Sequence, residues 1–155
     1  GGLVIDATYD EYVLVLAGLM PSVTAEPRIG FSIDAGATFP GPGLIINNQV
    51  MFSSAGVGSH SQQSATTFLS LTNGNGIPTT NPQNGIHGVL RIARPSTGPN
   101  WAFAQGDFTM NAGAYASRIQ AAINNGAARF NSLRMSWSLG TFAAQGRIKL
   151  FGRKA

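Results

Sequence analysis

Hydrophobic and polar residues alternate with a period of two in several parts of the chain, most clearly in the C-terminal segment 131–152. There Leu133, Met135 and Trp137 alternate with polar residues, and the alternation resumes within 147–151 after a glycine-rich connection. A β-strand presents successive side chains to opposite faces, so this pattern predicts two half-buried strands joined as a β-hairpin. An isolated hairpin is marginally stable in water, and we therefore expect earlier strands to cover its apolar face.

The preceding part of the chain contains further strand-like segments separated by turn residues. Segment 10–19, DEYVLVLAGL, is rich in β-branched and aromatic residues and predicts a central strand buried on both faces. Segment 114–123 predicts a strand, although Tyr115 and Ile119 also fall at helical spacing. The other segments that predict strands are 28–33, 44–53 with a bulge or tight turn near Asn47 and Asn48, 65–71, 86–92 and 101–109.

This series of about nine short strands, with no clear amphipathic helix, is typical of an all-β protein. We predict an antiparallel β-sandwich or jelly roll of about eight or nine strands, formed by a single domain over residues 1–155. The inward positions of the strands give the predicted core: Tyr12, Leu14, Leu16, Ile29, Phe31, Ile33, Leu90, Ile92, Leu133, Met135, Trp137, Ile148 and Leu150.

The amino-acid composition excludes or disfavours several functions for this protein. Charged residues make up 10% of the chain, against an average of about 25%, and the absence of cysteine excludes disulfides and thiolate chemistry. Residues 1–90 hold one base and five acids, whereas the rest holds nine bases and one acid. Most of these bases are dispersed singly, which disfavours a nucleic-acid-binding surface. No apolar run approaches the length of about 18 residues that a membrane helix needs, so we expect no membrane partner.

The sequence contains no recognisable catalytic or metal-binding constellation. His60 lies in a polar stretch and His87 at an outward strand position, and neither neighbours a nucleophile motif. Asp10 and Glu11 are adjacent and point to opposite faces of a strand, while Asp34 has a structural role in a turn. We therefore expect no enzymatic activity, no metal and no cofactor, and we expect both tryptophans to pack in the core.

Two polar segments, 56–64 and 72–85, predict exposed loops that could contact a partner. Within them, the candidate contact residues are His60, Gln62, Gln63, Asn73, Asn75, Thr79, Asn81, Gln83 and Asn84. Val89 and Phe151 are apolar residues at outward strand positions, where a solitary domain would more often carry charge. We predict that they mark an assembly surface.

Several segments resemble, in order, a group of small bacteriophage virion proteins. The resemblance spans nearly the whole chain and lies in turn and core residues: Tyr9-x-x-Tyr12-Val-Leu-Val-Leu, Leu19-Met20-Pro21, Ile29 to Phe39 (IGFSIDAGATF), Arg134 to Gly140 (RMSWSLG) and Gly146 to Gly152 (GRIKLFG). Ala35 stands where the group usually has glycine, and Phe151 where tyrosine is usual.

The resemblance implies a non-enzymatic β-sandwich in the tail or on another surface of a virion. It also implies a homo-oligomer, with a trimer expected, or docking onto other virion proteins. The predicted loops would meet a neighbouring virion protein or a host glycan. Two alternatives are a capsid decoration protein and a virion-associated glycan-degrading enzyme, the latter requiring two carboxylates within about 5–10 Å in one groove.

Overall fold

A computed structural model describes residues 3–5, 8–39, 44–53, 58–63, 67–72, 74–79, 85–93, 101–110, 115–124 and 130–154. Within these residues the chain forms strands and no helix. The strands are β1 (Leu3–Val4), β2 (Glu11–Leu19), β3 (Pro27–Ser32), β4 (Leu44–Ser53), β5 (Gly58–Gln63), β6 (Leu69–Ser70), β7 (Ile86–Ala93), β8 (Trp101–Met110), β9 (Tyr115–Asn124), β10 (Ser132–Trp137) and β11 (Arg147–Arg153). The prediction of an all-β protein is therefore confirmed.

The strands form two antiparallel sheets. The smaller sheet has the order β1-β10-β3-β6, and the larger, seven-stranded sheet has the order β11-β2-β7-β8-β9-β4-β5. The larger sheet is built around the meander β7-β8-β9, whose strands pair over nearly their full lengths. Segment 114–123, whose spacing also fitted a helix, belongs to β9 and is a strand as predicted.

One hydrophobic core lies between the two sheets, in a sandwich-like arrangement. It joins Ile29, Phe31 and Leu133 of the smaller sheet to Leu14 and Leu90 of the larger one, all at 1% exposure or less. Ten of the predicted core residues are buried, and Ile33, Ile148 and Leu150 are partly buried against them. Period-two patterning identified the core because only one face of each strand meets the opposite sheet.

The prediction of a C-terminal hairpin is wrong, because the two strands belong to different sheets. β10 pairs with β3, and β11 pairs with β2. The connection 138–146 runs beside the β2–β3 connection, with the Ala143 amide donating to the Met20 carbonyl at 2.9 Å and the Ser22 amide donating to the Thr141 carbonyl at 2.8 Å. The two connections thus cross from one sheet to the other together, and each C-terminal strand pairs with a partner distant in sequence.

Strand β2 lies between β11 and β7, which confirms its interior position. Tyr12, Leu14 and Leu16 are fully buried, but Val13 and Val15 on the opposite face are only half-buried, so the prediction of two buried faces is wrong. A register shift follows Leu16.

Strand β4 pairs with β9 in unbroken register from Leu44 to Ser53. The bulge or turn predicted at Asn47 and Asn48 does not form, because both residues keep partners on β9 and β5. The strand predicted over 65–71 is confirmed only as the two-residue β6 within its described part.

The turn after β3 is held by Asp34. Its carboxylate accepts hydrogen bonds from the Ser32 hydroxyl (2.5 Å), the Thr38 hydroxyl (2.5 Å) and the Thr38 amide (2.9 Å). Ala35 and Gly36 both have positive φ, 57° and 86°, and the first is an unfavourable value for a residue with a Cβ. These contacts confirm the structural role predicted for Asp34.

Candidate functional site

The outward face of the seven-stranded sheet carries exposed side chains in a regular arrangement. Neighbouring strands are in register, so residues on this face form rows across β2, β7, β8 and β9. The rows are Glu11, Ala93, Phe103 and Ala122; then Val13, Arg91, Gln105 and Gln120; then Val15, Val89, Asp107 and Arg118. This face combines aromatic, amide and charged groups over rigid strands.

Residues of the first two rows, without Val13, line a shallow groove of about 610 Å³. The Phe103 ring is 51% exposed, although it lies in the middle of the sheet. Its partners on the two neighbouring strands are Ala93 and Ala122, whose methyl groups leave space on both sides of the ring. We call this depression, lined also by Glu11, Arg91, Gln105 and Gln120, the Phe103 groove.

Ion pairs link several of the charges on this face. Glu11 contacts Arg91 at 3.4 Å and Arg153 at 3.5 Å. Asp107 accepts a hydrogen bond from Arg118 Nε at 2.8 Å, and this hydrogen bond, together with the carboxylate charge, raises the pKa of Arg118. Such exposed pairs contribute little to stability. Arg147 and Lys149 of β11 lie on the same face, so the described bases there outnumber the acids.

A second feature of the outward face is a continuous apolar strip. Phe151 is paired with Val13, and Val89 is paired with Val15. Val13 and Val15 are successive residues on the outward face of β2, so the four side chains lie next to one another. Val89 is 37% and Phe151 53% exposed. We call these four residues the assembly patch. The structure thus places the two residues predicted as an assembly surface on one face and connects them through the half-buried valines.

The segment 56–64 is not the loop that its polar composition predicted. Residues 58–63 form β5, an edge strand of the larger sheet that pairs with β4. His60, Gln62 and Gln63 therefore belong to a strand, and Gln62 is exposed. The prediction failed because an edge strand built of serine, histidine and glutamine carries no apolar alternation, although its backbone pairs normally.

The described part of segment 72–85 is anchored to the connection that precedes β3. Ile77 is buried and its amide donates to the Ala25 carbonyl at 2.8 Å. Asn75 and Thr79 are exposed, as expected for contact residues, and the Asn75 side chain donates to the Thr72 carbonyl at 3.0 Å. The remaining candidates of this segment, Asn73, Asn81, Gln83 and Asn84, lie outside the described residues.

A buried carboxylate holds this segment in place. Glu26 is 6% exposed and accepts hydrogen bonds from Arg28 Nε (2.8 Å), the Gly74 amide (2.9 Å) and the Ser70 hydroxyl. Burial of an unpaired carboxylate is costly, and these three donors offset that cost. Glu26 therefore connects β3, β6 and the turn after β6.

Four of the described carboxylates lie in separate places. Asp34 closes the turn after β3, Glu26 is buried beside β6, and Glu11 and Asp107 lie on the outward face of the larger sheet. The register separates Glu11 from Asp107 by four residues along the strands and two strands across, about 16 Å in a regular sheet. No group of three or more metal-ligating side chains occurs within the described ranges.

His87 is exposed at an outward position of β7, as predicted. Trp137 is buried at 8% exposure, which confirms its prediction as a core residue. The side chains of Trp101, His60 and Gln63 lie outside the described part of the structure. Within that part, no helix is long and apolar enough to cross a membrane.

The sequence prediction missed the Phe103 groove. The segment 101–109 was predicted as a strand, in which residues two apart point to the same face. Phe103 is therefore on the same face as the polar residues Gln105 and Asp107, and this pattern could have identified it as an outward residue. The alanines that leave space around the ring belong to β7 and β9, so the groove itself needs the register of three strands.

Comparison with known proteins gives no relative of this chain: no family model, no curated protein and no solved structure matches it.

Proposed function

We propose that this protein is a non-enzymatic structural component of a bacteriophage virion, located in the tail or on another particle surface, where it assembles into a homo-oligomer and contributes to host attachment. The motif resemblance to small virion proteins supports this assignment. The sandwich-like pair of sheets supports it too, because virion subunits are often built this way. We describe the fold more finely as a jelly roll, since the chain changes sheet at most of its connections.

The main observation in support of self-assembly is the assembly patch. Phe151 and Val89 are exposed on the outward face of a sheet, and Val13 and Val15 join them into one apolar strip. Contiguous apolar strips of this kind on soluble proteins commonly mark interaction sites. Arg91 and Lys149, which border the strip, provide a charged rim. Three copies arranged around a threefold axis beside the patch would cover one another's strips, and the trimer itself follows from the resemblance.

The distribution of carboxylates supports a non-enzymatic role. Glu11, Glu26, Asp34 and Asp107 each bind partners within the protein. The separation of about 16 Å between Glu11 and Asp107 exceeds the distance of about 5–10 Å over which two carboxylates cleave a glycosidic bond. The geometry thus favours binding over hydrolysis on this face.

Light scattering coupled to size-exclusion chromatography tests the assembly. We expect a mass about three times the chain mass of 16.1 kDa. Val89 and Phe151 are replaced together by threonine, a β-branched residue that strands favour, and the variant should elute as a monomer. Leu139→Thr is the matched control, because Leu139 is 66% exposed in the connection 138–146 and lies outside the patch.

Two results would contradict the proposal. A wild-type monomer at high concentration would exclude self-assembly and leave docking onto a different virion protein as the role of the patch. A double variant that keeps the wild-type mass would show that the oligomer uses another surface. Circular dichroism of each variant establishes that the strands are retained.

A further inference from the structure

The Phe103 groove has an apolar floor that fits the face of a flat, partly apolar ligand. Phe103 is 51% exposed, and the alanines on both neighbouring strands leave room beside its ring. A buried aromatic side chain would stabilise the core, whereas this one is exposed on rigid backbone in the interior of a sheet. The negative π-face of such a ring attracts positively polarised C–H groups, which is how a sugar ring stacks on an aromatic side chain.

One side of the groove is polar and well suited to hydroxyl groups. Gln105 and Gln120 are directly paired across β8 and β9, and Arg91 is the partner of Gln105 on β7. Each glutamine amide can donate and accept hydrogen bonds, and a sugar hydroxyl does the same. The groove lining therefore offers both donors and acceptors beside the apolar floor.

The lining of the groove itself carries no net charge, so it offers a strongly charged ligand little attraction. It contains one acid, Glu11, and one base, Arg91, which are paired at 3.4 Å, and Arg153 outside the lining contacts the same carboxylate at 3.5 Å. The cations Arg147 and Lys149 lie on the edge strand β11, two strands from β7. A phosphorylated or sulfated ligand would gain more from that edge than from the groove.

We propose that the Phe103 groove is a binding site for a neutral oligosaccharide. A pyranose ring stacks on Phe103 between Ala93 and Ala122, and its hydroxyl groups bind Gln105, Gln120 and the Glu11–Arg91 pair. The volume of about 610 Å³ accommodates a few sugar units and lies within the range of about 300–1,000 Å³ usual for ligand sites. This inference rests on the host-attachment part of the proposed function. It assigns the contact with the glycan to the outward sheet face, whereas the sequence pattern predicted it in the polar loops. It does not depend on self-assembly, because the groove and the assembly patch share no residue.

The test is a titration of the isotope-labelled full chain, followed by backbone amide NMR. The probes are cellohexaose, maltohexaose, mannohexaose and xylohexaose, with a heparin-derived hexasaccharide as the anionic comparison. We expect at least one neutral hexasaccharide to bind and to shift amides of β7, β8 and β9 around Phe103. These probes are monovalent, so the affinity of one groove does not depend on the oligomeric state.

Variants assign the binding to named side chains. Phe103→Ala should weaken binding by about tenfold or more, since truncation of a central aromatic anchor commonly has an effect of this size. Gln105→Ala combined with Gln120→Ala should weaken it to a similar degree. Leu139→Ala is the control, because it removes another exposed apolar side chain that does not line the groove.

Three outcomes would overturn the inference: no shift with any neutral probe at millimolar concentration, shifts confined to the segments outside β7 to β9, or salt-sensitive binding of the heparin fragment alone. Loss of the oligomer in Phe103→Ala would also overturn it, because the ring would then belong to a subunit interface. A monomeric wild type that still binds a neutral hexasaccharide would contradict the proposed assembly and leave the glycan site intact, so the two failures are distinguishable.

Discussion

Truncation of Trp137 should strongly destabilise this protein. Trp137 ends β10, lies at 8% exposure in the common core, and meets Phe142 edge-on with ring centroids 5.7 Å apart. Phe142 forms an isolated antiparallel β-bridge with Pro21. The contact between Trp137 and Phe142 therefore also involves the two connections that cross between the sheets. Trp137→Ala therefore removes core volume at a point where both sheets and both crossings meet.

The size of the effect follows from two opposing contributions. Replacing a buried tryptophan by alanine costs about 3–5 kcal/mol in lost transfer energy and in the cavity that remains. Trp137 Nε1 is buried and finds no acceptor among the described residues, and removal of an unsatisfied donor returns part of its desolvation penalty of about 1–3 kcal/mol. We therefore expect a loss of about 3 kcal/mol, and a Tm lowered by roughly 6–12 °C for a chain of this length.

Urea denaturation at fixed protein concentration measures this loss, with Trp137→Phe and Leu139→Ala as companions. Trp137→Phe keeps an aromatic ring against Phe142 and removes the unsatisfied N–H, so it should cost less than about 1.5 kcal/mol. Leu139 is 66% exposed, and its truncation should change stability by less than about 0.5 kcal/mol. A Trp137→Ala variant as stable as the wild type would refute the core assignment of Trp137.

Three further predictions concern the turn after β3 and the buried Glu26. Ala35→Gly should stabilise the protein by about 0.5–1 kcal/mol in urea denaturation, because relief of the left-handed φ of 57° outweighs the extra freedom of glycine in the unfolded chain; a loss of stability would show that the turn tolerates a Cβ. Glu26→Gln should cost about 1–3 kcal/mol, since the hydrogen bonds from Arg28 and Gly74 lose a charged acceptor; an unchanged urea midpoint would contradict the role of Glu26 as a structural link. Hydrogen bonds from the Ser32 hydroxyl, and then from Thr38, lower the pKa of Asp34 from 3.8 to about 2. The stability from this turn is therefore fully present above pH 3.8 and is lost as the pH falls through about 2, and an NMR titration giving an ordinary Asp34 pKa would disprove the contacts.

Sequence patterning was sufficient to identify the strands that have one apolar face. Tyr12, Leu14 and Leu16 alternate with less buried residues in the sequence and in the structure alike. The same holds for Ile86, Leu90 and Ile92 of β7, whose outward neighbours are exposed. Patterning failed for β5, because no apolar position marks an edge strand of polar residues.

Strand pairing could not be predicted from the chain alone. β10 and β11 are neighbours in sequence and were predicted to form a hairpin, yet they pair with β3 and β2. The alternation of a strand specifies which side chains are buried and leaves open which strand lies beside it. In the structure the two connections cross side by side between the sheets, and the strands that follow them pair with partners distant in sequence.

For the candidate sites, too, part of the information lies in the sequence and part only in the tertiary structure. The sequence by itself determined that Val89 and Phe151 lie at outward positions, because parity within a strand is a local property. Only the tertiary structure decided that Val89 and Phe151 join through β2 into one apolar strip. It alone placed alanines on both sides of Phe103, because contacts across a sheet depend on register between strands that are far apart in the chain.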